Sequence, residues 1–289
     1  MATSLQLRRR RMLRRVHRVP LRRVLAVIFV SVMACMSIIP LYWMVVTAFQ
    51  QPTLSVTFPP KWFPSPPTMR NFNALFARSH LFQWTLNSAI VSVTITASLV
   101  FTSTLAGYAF AKKQFFGRNV LFWTYVGSMM VPGQVTLIPL YLLMNRLGLR
   151  DTYAGIILPA VASPFGVFLM KQYIQTLPSV LIDAARIDGC SEFGVFTRIV
   201  LPLARPGMAV LAIFTFVDQW NDFLWPFIIT SRATMRTLPV GLALLQEEVP
   251  LDFNLLMAGA TYAAVPMILV FLFFQRYFLR GITVGAVKG

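Results

Sequence analysis

The sequence predicts an all-α integral membrane protein with six transmembrane helices. Composition, six long apolar segments and a one-sided spread of basic residues carry that prediction. The 289 residues are 57% hydrophobic and 12% charged, with a mean hydropathy of +0.67. A soluble domain carries about 25% charged residues. At half that density, polar groups cannot cover the apolar surface of a particle in water. A helix crossing about 30 Å of hydrocarbon needs about 20 apolar residues. Segments 24–49, 84–111, 120–145, 152–174, 205–230 and 257–279 meet that length.

The first span follows Arg8–Arg11, Arg14, Arg15, Arg18, Arg22 and Arg23. A secretory signal has an apolar region of about 7–15 residues. The run Val24–Phe49 is longer and holds Tyr42 and Trp43, aromatics suited to an interface. It reads as a retained helix behind a basic tail, residues 1–23. A basic flank beside an apolar span anchors topology on the anionic inner leaflet, so the net charge of +17 does not call for nucleic acid. Nineteen of the 26 basic residues fall on the side of the N-terminus and seven on the other. That excess puts both termini in the cytoplasm.

The external connection 50–83 contains Pro52, Pro59, Pro60, Pro64, Pro66 and Pro67. Such a segment cannot be a regular helix and reads as an ordered cap or extended arm. Pro132, Pro159 and Pro164 interrupt the third and fourth spans, and the freed carbonyls need neighbouring helices. The fifth span carries Asp218, Asn221, Asp222 and Trp225 at i, i+3, i+4 and i+7, one face of a continuous helix. If it enters the membrane near Gly207, Asp218 lies about 16 Å in. An aspartate at that depth costs about 2.5–3.5 kcal/mol and must face a partner or a wet cavity. The stripe, with Trp220 beside it, is a candidate substrate path; interhelical hydrogen bonding is the equal alternative. The sixth span, 257–279, leads to a cytoplasmic tail, 280–289.

Several chemistries find no residues. Cys35 and Cys190 lie in different settings and read as packing residues. His17 and His80 offer no zinc spacing. None of the five lysines follows a glycine, so the sequence holds no Walker phosphate-binding loop. No nucleophile–base pair stands out. A secondary transporter, which would show internal repeats and coupling carboxylates, remains the rival class; Asp218 could serve it, but no clear repeat is found.

The cytoplasmic connection 175–204 is the most informative stretch. Ser179 reads as an N-cap and Gly189 as the stop of a short helix, with Val180, Ala184 and Ile187 on one face. Asp183 and Arg186 sit at i, i+3 and can pair. A second helical stretch is expected from about Ser191 to Val200, ending before Pro202. Asp183-Ala184-Ala185, Gly189, and then Ile199-Val200-Leu201-Pro202 resemble the EAA loop of permease subunits in binding-protein-dependent ABC importers. Asp183 departs from the family's glutamate by one methylene. Asn71-Phe72, Leu86-Asn87-Ser88 and Trp220-Asn221-Asp222-Phe223 resemble the carbohydrate branch. The end, Gly281 to Gly289, is similar to the second permease subunit of maltose-type importers.

The resemblance implies a type I ABC importer permease fold, with a coupling helix between helices 4 and 5. It implies docking of that helix on a separate ATPase, which carries ATP and Mg; this chain needs no cofactor. Asp183, Ala184, Ala185, Arg186, Ile187, Asp188, Gly189, Ile199, Leu201 and Pro202 would form the coupling region. Gly285, Lys288 and Gly289 would make a second ATPase contact. The implied partners are a second permease subunit, two ATP-binding subunits, an extracytoplasmic substrate-binding protein or lipoprotein, and membrane lipid. The implied cargo is a mono- or oligosaccharide, with glycerol phosphate or a glycerophosphodiester as the alternative. The implied location is a bacterial cytoplasmic membrane.

Overall fold

The protein's structure, a computed structural model, describes residues 21–51, 61–78, 80–248 and 252–286. Most of the arginine-rich tail, Arg8 to Arg18, lies outside them, as do Lys288 and Gly289. The first helix, α1 (Leu21–Ala48), is apolar all round and buried only at its end, at Val46, Thr47 and Ala48. Such a helix has no water-facing side and suits a lipid environment. After the prolines the connection does form a helix, α2 (Arg70–Arg78). The expected cap or arm is thus helical where Pro67 is passed.

The central element is α3 (Leu81–Lys112). Its buried residues include Ser88, Ser92, Ser103, Thr104 and Gly107, small side chains that let other backbones approach. The third segment is two helices, α4 (Arg118–Gly127) and α5 (Gly133–Arg146), joined through a 3-10 turn and bent by 99°. Pro132 explains the break: it forces Val131 out of the helical region, to ψ 116°. The fourth is α6 (Tyr153–Ile157), a 3-10 turn, and α7 (Pro164–Gln175), bent by 46°. Ser163, extended before Pro164, caps α7 by accepting from Gly166 N–H at 3.3 Å.

The short helix α8 (Ser179–Ile187) follows. Then α9 (Glu192–Val195) runs through a π turn, Phe196–Val200, into α10 (Leu201–Asn221). The expected stop before Pro202 is absent. Proline in the first turn of α10 lacks a useful N–H, and the widened i→i+5 turn before it removes the need for one. The fifth segment is also not one helix: Asp222 is extended (ψ 123°) and α11 (Leu224–Ile229) starts anew. Finally come α12 (Leu238–Glu248) and α13 (Phe253–Ala286), so the last helix continues past 279. Among the described residues, four helices are long and apolar enough to cross a membrane, or up to six if each bent pair is one span.

α3 packs against α7 and α10, and α13 closes on α1, α2 and α10. One core joins Leu99, Met170, Ile174, Ile182, Phe196 and Leu211 at one end of the bundle. A second joins Leu75, Trp84, Trp220, Leu238 and Leu255 at the other. The first core holds α8 in place.

Candidate functional site

The short helix α8 is fixed on one side only. Ile182 and Ala185 are buried in the core beneath it. Val180, Ala184 and Ile187 point away, with Ile187 87% exposed and Val180 76% exposed. These are the three residues the spacing places on one face. The helix starts one residue earlier than expected for a Ser179 cap: Pro178 is the N-cap, and Ser179 is already helical. The Ser179 hydroxyl instead accepts from Lys112 Nζ at 3.1 Å, while the same ammonium donates to Leu177 O at 2.6 Å. So the end of α3 grips the entry to α8.

The exit is closed by Gly189. Its φ of +80° is left-handed, where a Cβ is unfavourable. Cys190 N–H reaches back to Ala185 O and Gly189 N–H to Arg186 O, both at 3.0 Å. That pair of bonds satisfies the last carbonyls of α8. Arg186 bonds Asp183 at 3.0 Å and Glu192 at 3.2 Å. Glu192 also pairs with Lys113 and accepts from the Tyr108 hydroxyl at 3.3 Å. Exposed pairs contribute little to stability, but this network sets the angle of α8 against α3 and α9. The pairing of Glu192 is what sequence reasoning missed; its i, i+6 separation from Arg186 crosses a turn and follows no helical rule.

Not all residues of the expected coupling region face outward. Ile199 and Leu201 pack against the first core, and Pro202 sits in the first turn of α10. They position the loop, whereas Asp183, Ala184, Arg186, Ile187 and Asp188 lie at its exposed surface. Gly285 lies in the last turn of α13. Its expected companions, Lys288 and Gly289, are outside the described residues.

The expected stripe on the fifth span does not form a single face. The helix breaks at Asp222, and Trp225 belongs to α11, where its indole donates to Gly155 O at 3.1 Å. Asp222 faces the N–H groups of Leu224 and Trp225, so it serves the start of α11. Asp218 is exposed and bonded by its neighbour Gln219; Asn221 donates to Val217 O. Trp220 is buried, stacked on Phe216, and donates to Ala263 O at 3.4 Å. It joins α10 to α13.

A set of polar stitches holds the end of the molecule opposite α8. Asn87, fully buried, donates to Thr234 O and Arg236 O, both at 2.8 Å. Its side-chain oxygen accepts from Tyr153 at 2.6 Å and Gln83 at 2.9 Å. Ser88 Oγ accepts Leu238 N–H at 2.8 Å, and Asn71 donates to Ala48 O and Gln50 O. Asp151 accepts from the N–H groups of Ser231 and Arg232. Partial burial pushes its carboxyl up, but these bonds and the charges of Arg232 and Arg150 outweigh that and hold it below the usual range. The tie is therefore present above the ordinary aspartate pKa and fades as pH falls through the lowered one.

The model of the family described as "Binding-protein-dependent transport system inner membrane component" matches residues 100–284. The chain belongs to this family. Among relatives of this inner membrane component is the arabinooligosaccharides transport system permease protein AraQ of Halalkalibacterium halodurans, 42% identical over 78% of this chain and 81% of that protein. The sn-glycerol-3-phosphate transport system permease protein UgpE of Yersinia pestis is 37% identical over 68% of this chain and 71% of its own. A solved bacterial ABC transporter involved in the import of the acidic polysaccharide alginate matches with a TM-score of 0.78 at 19% identity. It covers 88% of this chain and 95% of that one. That likeness shows the fold.

Within this family member, Asn71, Asn87 and Ser88, residues that carry the carbohydrate-branch resemblance, are structural stitches. Asn87→Ala strands two backbone carbonyls and the Tyr153 hydroxyl. Its cost is expected at about 2–4 kcal/mol from two or three lost bonds, read as a lowered melting temperature of the purified protein.

Proposed function

We propose that this chain is a transmembrane permease subunit of an ATP-driven ABC importer for sugars, from mono- to oligosaccharides. The observation that carries this reading is the 42% identity to an arabinooligosaccharide permease over three-quarters of the chain. In this reading each bent pair is one span, giving six, and both termini are cytoplasmic. The chain forms half of the translocation path with a second permease subunit. It is non-catalytic; two separate ATP-binding subunits hold ATP and Mg, and an external binding protein delivers the sugar. α8 is the coupling helix: its buried residues anchor it, and Val180, Ala184 and Ile187 form the apolar face offered to the ATPase. Asp183, Arg186 and Asp188 set register at the rim, and the 285–289 end makes a second contact. Asp218, Asn221 and Asp222 remain the candidates for contact with sugar hydroxyls at the break between α10 and α11.

The relation to UgpE favours glycerol phosphate as the second reading. The absence of arginine and lysine deep within the spans weighs against it, because phosphate is held by such groups. The test is uptake into proteoliposomes holding the full importer and its binding protein. ATP-dependent accumulation of a neutral oligosaccharide, without sn-glycerol 3-phosphate, is expected. Accumulation of the phosphate ester alone transfers the reading to the second cargo, and uptake independent of ATP overturns the importer reading.

A further inference from the structure

An apolar crevice of about 260 Å³ opens between α3, α4 and α7. Thr102, Ala106 and Phe110 line it from α3, Leu121 and Tyr125 from α4, and Val167 from α7. A second, more polar hollow includes Phe115, Arg118 and Val120. The two are neighbours across one aromatic contact. The Phe110 ring lies 5.9 Å from Phe115, and Arg118, Leu121 and Tyr125 share a face of α4 at i, i+3 and i+7. The crevice runs from Phe110 to Thr102, about 12 Å along the helix axis, which is the length of an acyl segment and not of a headgroup.

Positive charge lies near its Phe110 end. Arg118 donates to Lys113 O and Asn119 Oδ1, and Lys171 lies 4.1 Å over the Phe122 ring. Phe122 packs on Phe110 and Val167, two residues of the crevice wall. Among the described residues no carboxylate is paired with Arg118 or Lys171. Beside them Phe116 is fully exposed and Phe115 is 42% exposed. In water that pair is unfavourable, but at a membrane surface the rings enter the apolar boundary while the cations meet headgroups. An apolar slot with unneutralised cations at one end matches an amphiphile with a negative head.

We propose that this is a binding site for one anionic phospholipid of the cytoplasmic leaflet. The acyl chain occupies the crevice, and the phosphate sits between Arg118 and Lys171. The site rests on the orientation given under the proposed function, which puts the ends of α3 and α7 at the cytoplasmic surface. Its occupant differs from the sugar and from the ATPase.

The test is native mass spectrometry of the purified importer complex, delipidated and then titrated with dioleoylphosphatidylglycerol or dioleoylphosphatidylcholine. The wild-type complex is expected to retain one extra phosphatidylglycerol and no extra phosphatidylcholine. Each cation near a surface strengthens anionic lipid binding about fivefold, so Arg118→Gln with Lys171→Gln weakens retention about 30-fold. Ala106→Phe fills the crevice and is expected to lose the same lipid with both charges intact. Equal retention of the two lipids, or undiminished phosphatidylglycerol in either variant, overturns the proposal. Subunit composition is read in the same spectra, so a failed importer reading appears as missing subunits and a failed lipid site as missing lipid mass. Should the double variant not assemble, Arg118→Gln alone, expected about fivefold weaker, carries the test.

Discussion

Ile187→Asp is expected to abolish ATP-dependent uptake while leaving the amount of chain in the membrane unchanged. Ile187 is 87% exposed and lies on the face of α8 turned away from the core. Its replacement removes nothing the subunit needs for its own fold, and such surface changes stay within about 0.5 kcal/mol. Against a docked partner the effect differs. Losing a central apolar anchor costs about 2–4 kcal/mol of binding, or about 30- to 1000-fold. A carboxylate forced into the same pocket adds a desolvation penalty. Uptake and ATPase stimulation should therefore fall together, with complex assembly reduced in pull-down. Ile182→Asp is the control, because Ile182 is 3% exposed. That variant should lose membrane protein as well as transport, since it unseats α8 from the first core. Normal uptake in Ile187→Asp at normal membrane level would sink the docking role of this face.

Much of this surface was legible in the sequence, because its geometry is local. The placement of Gly189 after a nine-residue apolar–polar pattern fixes a left-handed stop, and the i, i+4, i+7 spacing fixes which side of α8 carries Val180, Ala184 and Ile187. Which side faces outward was not legible; that depends on Ile182 and Ala185 meeting residues of α3 and α10, far away in sequence. The Glu192 hub was invisible for the same reason, since Lys113 and Tyr108 reach it from another helix. The single helical face expected of the fifth span failed on a local point. Helical periodicity was extended through Asp222, but an acid followed two and three residues later by N–H groups starting a new turn is also an N-cap. Composition and hydropathy located the apolar segments, yet they do not register direction. Hence the 99° turn at Pro132 was foreseen as an interruption and not as a change of course.

Gly107 shows how a residue invisible to hydropathy decides whether the bundle forms. Ser103 and Gly107 are four apart on α3, the spacing at which small residues let two membrane helices meet closely. Here the partner is α7: a Cβ built on Gly107 would come within 2.8 Å of both Met170 Cβ and Lys171 N. Neither atom can swing aside, since one is backbone and the other is held by it. Gly107→Ala is therefore expected to cost about 1–3 kcal/mol through overpacking. Gly107→Leu must separate α3 from α7 and should leave little folded protein in the membrane. The loss would travel, because Met170 and Ile174 on α7 belong to the core that also seats Ile182 of α8. An alanine that survives in the membrane should consequently show weakened uptake before it shows weakened expression. Gly127 provides the comparison: a Cβ there meets nothing within 4 Å, so Gly127→Ala should stay within about 0.5 kcal/mol of wild type. Thermal melting of the two purified alanine variants, with the membrane level of Gly107→Leu, checks the order. Equal melting of Gly107→Ala and Gly127→Ala would show that α3 and α7 do not meet at this distance.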